Sequence, residues 1–340
     1  MKFTKKQVVA LVIVVILAYF LAAFKLPYYI YKPGGADALN PIVSVENGYQ
    51  STGDMHLVTV SGGQATPIQF VWAKLLPHHQ ILPLEEVRPE GISDDEYMHA
   101  QLQMMENSQE ASTVVAYEAA DKDITIDYNG VFVVSVVEGM PADGKLKMGD
   151  RIIGIDGVNV KEADDLIKYV ESKNANDTIE VEFVRDESTR FEELQLKTFE
   201  GAENKIGIGI QLVTDRSVTV DPSVEFSSGS IGGPSAGLMF SLEIYDQLTE
   251  DDITKGFEIA GTGEIDYDGT VYRIGGIDKK VVAADKEGVD IFFAPNENGK
   301  ENSNYQVAAK TAEEIGTEMK VVPIETFQDA IEYLEQLDLK

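Results

Sequence analysis

The chain contains no cysteine among its 340 residues. Disulfide bonds, thiolate zinc sites and cysteine nucleophiles are therefore excluded. Basic residues are also scarce, since 28 lysines and arginines stand against 58 aspartates and glutamates, and the formal net charge is −30. Proteins that bind nucleic acid neutralise its phosphates with a basic surface. We therefore expect no nucleic-acid partner, and the acidity is that of an ordinary solvated surface.

Motifs for metals and nucleotides are missing as well. The sequence has no His-Glu-x-x-His pattern, no EF-hand spacing and no Gly-x4-Gly-Lys-Ser/Thr loop for ATP. We therefore predict neither a metal site nor a cofactor. Histidine is confined to the first third of the chain, at His56, His78, His79 and His99. A catalytic histidine later in the sequence is excluded.

A long apolar run stands near the N-terminus. Residues 8–24 are all apolar or small, and extension to residue 28 makes the run just long enough to span a bilayer. Lysines at positions 2, 5 and 6 precede it, and positive charge stays cytoplasmic. This predicts a single-pass cell-membrane anchor in residues 8–28, with a cytoplasmic N-terminus and an extracellular remainder. Three tyrosines would lie at the outer interface: Tyr28, Tyr29 and Tyr31. The alternative is a cleaved signal peptide, although Ala22-Ala23-Phe24 is a poor cleavage site.

The sequence Gly233-Pro234-Ser235-Ala236-Gly237 fits the pattern Gly-x-Ser-x-Gly. In hydrolases this pattern forms a sharp turn that exposes the serine at the start of a helix, where N–H groups can stabilise an oxyanion. Alone, it is equally compatible with a glycine-rich start of a helix that carries an incidental serine. Because every histidine precedes Ser235, the α/β-hydrolase order is excluded. A nucleophilic Ser235 would need another base, and a serine–lysine dyad is the known alternative.

A β-rich module follows a long helix that a capping box at Ser93 opens. Its elements are a strand, a Gly-x-Pro-Ala sequence, a Leu-x-x-Gly-Asp-x-Ile sequence, an Asp-Gly pair and an amphipathic helix, at residues 131–134, 139–142, 146–152, 156–157 and 163–173. The series resembles a PDZ domain. The resemblance implies that peptide is bound as an added strand beside a helix. The carboxylate-binding loop is not identified, because residues 206–210 lie past the module and could begin the next strand.

Three motifs then follow in order, and together they resemble the catalytic domain of Lon proteases. They are Pro234-Ser235-Ala236-Gly237, Thr262-Gly263-Glu264, and Gly275-Gly276-Ile277 with Lys280 three residues later. The resemblance implies that Ser235 is the nucleophile, that Lys280 is its base and that Thr262 orients the lysine, with Gly232 and Gly233 supporting the turn. Lys280 must be neutral to accept a proton, and burial among apolar neighbours would lower its pKa. Its neighbour Lys279 is expected to face solvent.

Two departures from the Lon pattern affect these expectations. Lon enzymes often carry an acidic residue three positions before the serine, where this chain has Gly232, so the order of the loop is left open. The ATPase module of Lon proteases has no counterpart, which implies an enzyme that works without ATP. The segment Met104–Glu110 resembles the long helix that opens a Lon protease domain, which would make the PDZ module an insertion.

We therefore predict an α+β chain with an N-terminal transmembrane helix, a PDZ-like β-rich module and a Lon-type proteolytic domain. The predicted parts are an anchor at 1–35, an N-terminal protease part at 36–120, a PDZ domain at 121–203 and a catalytic part at 204–340. The predicted function is an ATP-independent serine endopeptidase that cleaves secreted or membrane-associated polypeptides. The alternative is an inactive PDZ scaffold at the membrane, and the missing later histidine disfavours an esterase. The resemblance also allows a homo-oligomer.

Three local expectations concern the segment before residue 80. The only tryptophan, Trp72, lies in a short predicted helix and is expected in the core. The sequence Pro33-Gly34-Gly35 is expected to close the N-terminal segment. The sequence Ser61-Gly62-Gly63 is expected to form a turn after a strand.

Overall fold

The computed structural model describes residues 4–88, 93–199 and 205–340. Its contacts divide the chain into one unit formed by residues 1–123 with 220–340 and a second unit formed by residues 124–219. The helices are α1 Lys5–Ala23, α2 Pro67–Leu75, α3 Leu84–Val87, α4 Asp94–Ala119, α5 Ala163–Glu171, α6 Gly237–Leu248, α7 Ile277–Glu287, α8 Asn304–Ile315 and α9 Phe327–Glu335. The four-part division made from the sequence stays a prediction.

The strands are numbered in the same way. They are β1 Tyr28–Ala38, β2 Val43–Val45, β3 Met55–Gln64, β4 Gln80–Pro83, β5 Asp123–Val136, β6 Arg151–Ile155, β7 Val158–Asn159, β8 Thr178–Arg185, β9 Ser188–Gln195, β10 Lys197–Thr198, β11 Ile206–Gly207, β12 Ile210–Asp221, β13 Val224–Phe226, β14 Ile259–Gly261, β15 Glu264–Ile265, β16 Val271–Tyr272, β17 Ile291–Pro295 and β18 Lys320–Ile324.

Helix α1 coincides with the apolar run. Thr4 and Gln7 form a capping box at its start, and none of its residues is buried. It is the one helix of the described residues that is long and apolar enough to cross a membrane. At about 1.5 Å per residue its 19 residues extend about 28 Å, close to the thickness of a bilayer core. A membrane anchor and a signal sequence both fit this helix.

The first unit is built on a six-stranded mixed sheet in the order β18-β17-β14-β3-β1-β4. The first four strands are parallel, and β1 runs antiparallel to both β3 and β4. Side chains alternate along β17, so that Phe292 packs in a core with α7 and α8, whereas Phe293 meets the ring of Tyr333 in α9. Helices therefore cover both faces of the sheet, as a strand buried on both sides requires.

Two predicted breaks are wrong, because both glycine-rich sequences lie inside strands. Pro33-Gly34-Gly35 belongs to β1, where the register shifts between Pro33 and Ala36. Ser61-Gly62-Gly63 belongs to β3, opposite residues 30–32. A Cβ at Gly34 would lie 2.5 Å from Oγ1 of Thr59. The glycine therefore serves the close approach of two strands rather than a turn.

Of the aromatic residues in this region, Trp72 differs from expectation, whereas the placement of the tyrosines at a membrane interface stays a prediction. Tyr29 and Tyr31, expected at a membrane interface, lie in the sheet and pack against each other with ring centroids 5.0 Å apart. Trp72, expected in the core, is 56% exposed on α2. The predicted helix that carries Trp72 is confirmed, but its helical pattern gave no indication of which face would be covered.

The second unit has a five-strand path, β12-β5-β6-β8-β9, with β7 paired to β6 and α5 beside the sheet. Its core is formed by alternate apolar residues of these strands, including Val131, Ile152 and Phe183. Asp150, from the Leu-x-x-Gly-Asp-x-Ile sequence, is buried and accepts hydrogen bonds of 2.6 Å from the guanidinium of Arg185. The carboxylate is thus fully paired, as burial of a charge requires.

A buried glutamate in α6 gives the first unit a pH-dependent stability. Glu243 is 2% exposed and accepts a hydrogen bond of 2.7 Å from Gln247. Burial raises its pKa to about 7. The folded-state pKa of Glu243 lies above the ordinary value of about 4.3. The contribution of the protonated carboxyl to the free energy of unfolding is therefore fully present below about pH 4.3 and is lost as pH rises through about 7.

We expect Glu243→Gln to remove this loss. The variant should be more stable than the parent at pH 8, by about 2–3 kcal/mol, and should gain little at pH 5. Chemical unfolding at the two pH values measures the difference. The exposed Glu250 just beyond α6 provides the control Glu250→Gln. Equal pH dependence in the parent and both variants would contradict the assignment.

Candidate functional site

The Ser235 turn lies directly before α6 and is held by α4. The N–H of Gly233 donates a hydrogen bond of 2.8 Å to the carbonyl of Gln101. Gly233 has a φ of 90°, a region that favours glycine. A Cβ at Gly232 would lie 2.7 Å from the Cβ of Gln101. The loop is thus ordered by close contact with α4, which needs no acidic side chain at position 232.

Two buried serines further along α4 also bind the turn and the first residue of α6. Oγ of Ser108 donates to the carbonyl of Pro234 at 2.9 Å, and Oγ of Ser112 donates to the carbonyl of Gly237 at 2.8 Å. Neither residue is predicted from the sequence to belong to the site. Small hydroxyl residues four positions apart share one face of a helix, but the sequence does not show which element that face contacts.

Thr262 connects the turn to the central sheet. It follows β14, is fully buried, and its N–H donates to the carbonyl of Phe293 at 3.1 Å. Its Oγ1 donates to the carbonyl of Ser235 at 2.9 Å. The N–H of Gly263 donates to the same carbonyl at 3.0 Å. The backbone of the serine is therefore fixed by two donors that do not involve its side chain.

Lys280 reaches the serine from α7. Its Nζ lies 2.7 Å from Oγ of Ser235 and 2.8 Å from Oγ1 of Thr262, and donates to both. The side chain is 3% exposed, and desolvation lowers the pKa of Lys280 to about 7. The start of α7 depends on Gly276, which has a φ of 71° and lies so close to Val60 that a Cβ would be 2.9 Å from its Cγ2. The structure thus brings together Ser235, Lys280 and Thr262.

The neighbouring lysine differs from its prediction. Lys279 does not face solvent, because it is only 3% exposed. Its Nζ donates to Oδ1 of Asp278 at 3.1 Å and to Oε1 of Gln80 at 3.2 Å. The two successive lysines therefore have different partners. One is paired with a carboxylate, whereas the other meets hydroxyl groups.

A cleft of about 940 Å³ opens over Ser235. Its walls are formed by β1 and β3, the first half of α4, the loop before Ser235, and the residues Glu264, Arg273 and Lys280. Strand β3 continues beyond its pairing with β14, which involves only residues 55–57. Among the described residues, the edge of β3 at Thr59–Gly62 therefore has a strand partner only in β1. An extended peptide in the cleft can lie along this open edge.

Sequence profiles of known families match both parts of the chain. The profile of the Lon protease (S16) C-terminal proteolytic domain matches residues 206–336. The profile of the PDZ domain matches residues 97–196. The chain carries a Lon-type proteolytic domain and a PDZ domain. The Lon-type match contains Ser235, Thr262 and Lys280.

Curated relatives match over part of their length. The chain is 32% identical over 97 residues to a Lon protease of Aster yellows witches'-broom phytoplasma, covering 28% of this chain and 11% of that protein. It is 30% identical over 138 residues to a Lon protease of Campylobacter jejuni, covering 38% and 16%. It is 30% identical over 145 residues to a Lon protease of Methanosarcina barkeri, covering 39% and 17%. The chain thus spans between 11% and 17% of these relatives.

The PDZ domain has a groove of about 790 Å³ between α5 and the segment that leads into β12. Ile167 and Val170 of α5 line one side, and residues 205–210 line the other. Residues 206–210 thus belong to the second unit, which contains the PDZ domain, rather than to the first unit, which contains Ser235 and is called the protease unit below. Strand β12 is an end strand of the sheet path, so that its outer edge faces α5 across the groove. This is the arrangement that accepts an added peptide strand.

Proposed function

We propose that this chain is a serine endopeptidase in which Ser235 is the nucleophile and Lys280 is the general base. The observation that carries the proposal is the 2.7 Å distance between Nζ of Lys280 and Oγ of Ser235 in a buried environment. A lysine acts as a base only when it is neutral, and a pKa of about 7 leaves a large neutral fraction at physiological pH. The match to the Lon-type proteolytic domain supports the same reaction class.

In the proposed reaction, Oγ of Ser235 attacks the scissile carbonyl while its proton passes to Nζ of Lys280. The resulting ammonium then donates that proton to the leaving amine as the C–N bond breaks. A water then attacks the carbonyl of the acyl-enzyme while its proton passes to the neutral lysine. The ester bond to Oγ breaks, the ammonium returns the proton to Oγ of Ser235, and the new carboxyl terminus of the substrate is released. Thr262 positions Nζ through its 2.8 Å contact. The carboxylate partner of Lys279 makes that lysine unsuitable for this role.

The start of α6 would stabilise the oxyanion. Among the described residues, the backbone N–H groups of Ser235 and Ala236 have no hydrogen-bond acceptor, and both stand at the N-terminal end of the helix. Such groups, together with the helix dipole, favour a developing negative charge. The bonds from α4 to Gly233 and Pro234 keep these groups in place without occupying them.

The proposed substrates are unfolded or extended polypeptides outside the cell. Two features support this proposal: the open edge of β3 in the cleft, and a sequence without an ATP-binding loop that could power unfolding. Helix α1 would anchor the enzyme as a single-pass protein, with the lysines before it in the cytoplasm and the protease outside. Protease digestion of intact cells tests this orientation, since an external enzyme is degraded while the membrane remains sealed.

The test of the proposed reaction is the pH dependence of peptide cleavage by the full-length protein in the absence of ATP. We expect kcat/KM to rise about tenfold per pH unit below about 7 and to level off above it, as neutral Lys280 accumulates. The peptide should carry no group that titrates in this range. Burial also raises the pKa of Glu264 in the cleft, which makes this carboxyl the other candidate for the titrating group. Because the proposal assigns the midpoint to Lys280, a Glu264→Gln variant should keep the same midpoint. A rate independent of pH between 5 and 9, or a requirement for ATP, would contradict the proposal.

We further propose that the PDZ groove binds a peptide segment of the substrate. Ile167 lines the groove and is 42% exposed, so Ile167→Asp should weaken peptide binding without unfolding the domain. Val158 is 52% exposed and lies outside the groove in the same unit, which makes Val158→Asp the matched control. Binding of a peptide selected from the cleaved substrates is measured by titration calorimetry. Equal affinity in both variants would place the peptide elsewhere.

A further inference from the structure

Helix α2 carries an apolar face that the described chain leaves uncovered. Four residues at helical spacing form this α2 face, with exposures between 45% and 71%: Ile68, Val71, Trp72 and Leu75. The opposite side is apolar too, because Ala73 is buried in a small core with Phe70 packed against it. A helix that is apolar on two opposite sides is typical of buried or membrane-embedded positions, whereas α2 lies on the surface.

The α2 face is located at the C-terminal end of α1. Helix α2 contacts α1. The segment after α1 is bonded to the residues before α2, since the N–H of Leu26 donates to the carbonyl of Ala65 and the N–H of Ala65 donates to the carbonyl of Tyr28, both at 2.8 Å. The side-chain amide of Gln64 donates to the carbonyl of Leu26 at 3.0 Å. These bonds fix α2 to the end of the apolar helix.

The charge distribution distinguishes the same region. Neither residues 1–36 nor residues 55–84 contain an aspartate or glutamate, although the chain has 58 of them in 340 residues. Within residues 24–84 the charged side chains nearest α2 are cationic, namely Lys25 and Lys74, and the first carboxylates beyond this range are Glu85 and Glu86 in α3. A lipid surface repels carboxylates from its apolar boundary and accepts lysines, which extend their ammonium groups to the headgroups.

We infer that α2 lies in the membrane interface, with the α2 face inserted at the boundary between headgroups and acyl chains. The inference rests on the proposed anchoring of the chain by α1. The partner is the lipid bilayer itself, on the side reached by the C-terminal end of α1. Tryptophan is enriched at this depth of a bilayer, and interfacial helices bury their apolar face by about 5–10 Å. The protease unit is thereby held against the membrane by two elements rather than by a flexible tether.

Trp72 is the only tryptophan of the chain and reports directly on this inference. The full-length protein is placed in lipid nanodiscs made with phospholipids brominated at different positions along the acyl chain. We expect bromine near the headgroups to quench most of the Trp72 emission, deeper bromine to quench less, and aqueous iodide to quench little. The control is Trp72→Phe combined with Tyr49→Trp. Tyr49 is 50% exposed and lies in the segment before β3, a strand whose ten residues extend about 33 Å towards α2.

The outcomes separate this inference from the anchoring. Emission that iodide quenches and brominated lipid does not would overturn the docking of α2. If the chain then still resists alkaline extraction from membranes, the anchor stands. Shielding from both quenchers would mean that protein covers the α2 face, which also overturns the inference. Extraction by alkali would overturn the anchoring itself. Quenching of the Tyr49→Trp control as strong as that of Trp72 would show a nonspecific lipid effect and would count against docking.

Discussion

Replacement of Ser235 by alanine should reduce peptide cleavage by about 10⁴-fold or more, because the acyl-enzyme cannot form without its nucleophile. The substitution removes only Oγ. The carbonyl of Ser235, rather than its side chain, accepts the bonds from Thr262 and Gly263. The turn should therefore persist, and the loss should appear in kcat rather than in folding. Initial rates with a fluorogenic peptide, and circular dichroism on the same samples, measure the two quantities.

The matched control is Ser223→Ala. Ser223 is an exposed serine of the same unit that lies outside the cleft and bonds to Glu46. We expect this variant to cleave at the parental rate. Ser235→Ala cleavage at an undiminished rate would assign the activity to another residue. A folded Ser235→Ala variant would also serve to trap substrates, since the cleft remains intact.

Replacement of Lys280 by methionine should cost about 10²- to 10⁴-fold in kcat/KM through loss of the general base. Methionine fills a buried, unbranched space of similar length, so that the fold is retained. The effect should not add to that of Ser235→Ala, because the two residues act as a unit. The double variant should be no slower than Ser235→Ala alone, which a comparison of the three rates measures.

The preceding residue offers a strict control for this prediction. Lys279 is equally buried but is paired with Asp278 rather than with the serine. Lys279→Met should retain cleavage and the pH midpoint of the parent. If a folded Lys279→Met variant loses as much activity as Lys280→Met, the loss reflects local packing of α7 rather than proton transfer.

The choice between the two lysines illustrates what the sequence can and cannot predict. Spacing from Ile277 identified Lys280, and the structure brings its Nζ to Ser235. Solvent exposure of Lys279 was a wrong prediction, because its partner Gln80 lies about 200 positions away in the sequence. The carboxylate that compensates its charge, Asp278, is its sequence neighbour, but the distant segment that carries Gln80 also contacts the lysine, and such a contact leaves no local signal.

The Ser235 turn shows the same limit. The local sequence predicted a tight turn at the glycines and a helix after it, and both are present. The hydrogen bonds from Ser108 and Ser112 were missed, because they come from a helix that lies more than 100 residues earlier in the chain. Their role follows only once α4 is known to pack against α6.

Strand ends and exposed faces were predicted least well. Gly62 and Gly63 indicate a turn by local rules, whereas the pairing with β1 extends β3 through them. Trp72 was assigned to the core because large apolar residues are usually covered by protein. The proposed insertion of α2 into the bilayer interface explains why no protein covers Trp72, since lipid would cover it instead. Residues buried in a bilayer and residues buried in a protein core are both apolar, so that the sequence alone does not distinguish the two locations.

The most direct measurement of the central claim is covalent labelling with a serine-reactive phosphonate, followed by mass spectrometry of the tryptic peptides. The account predicts a single phosphonylated residue, Ser235, and a labelling rate that rises as pH increases through about 7. It predicts loss of the label in Lys280→Met and retention in Lys279→Met. Labelling of a different serine, or labelling of Ser235 at the parental rate in Lys280→Met, would contradict a serine–lysine dyad.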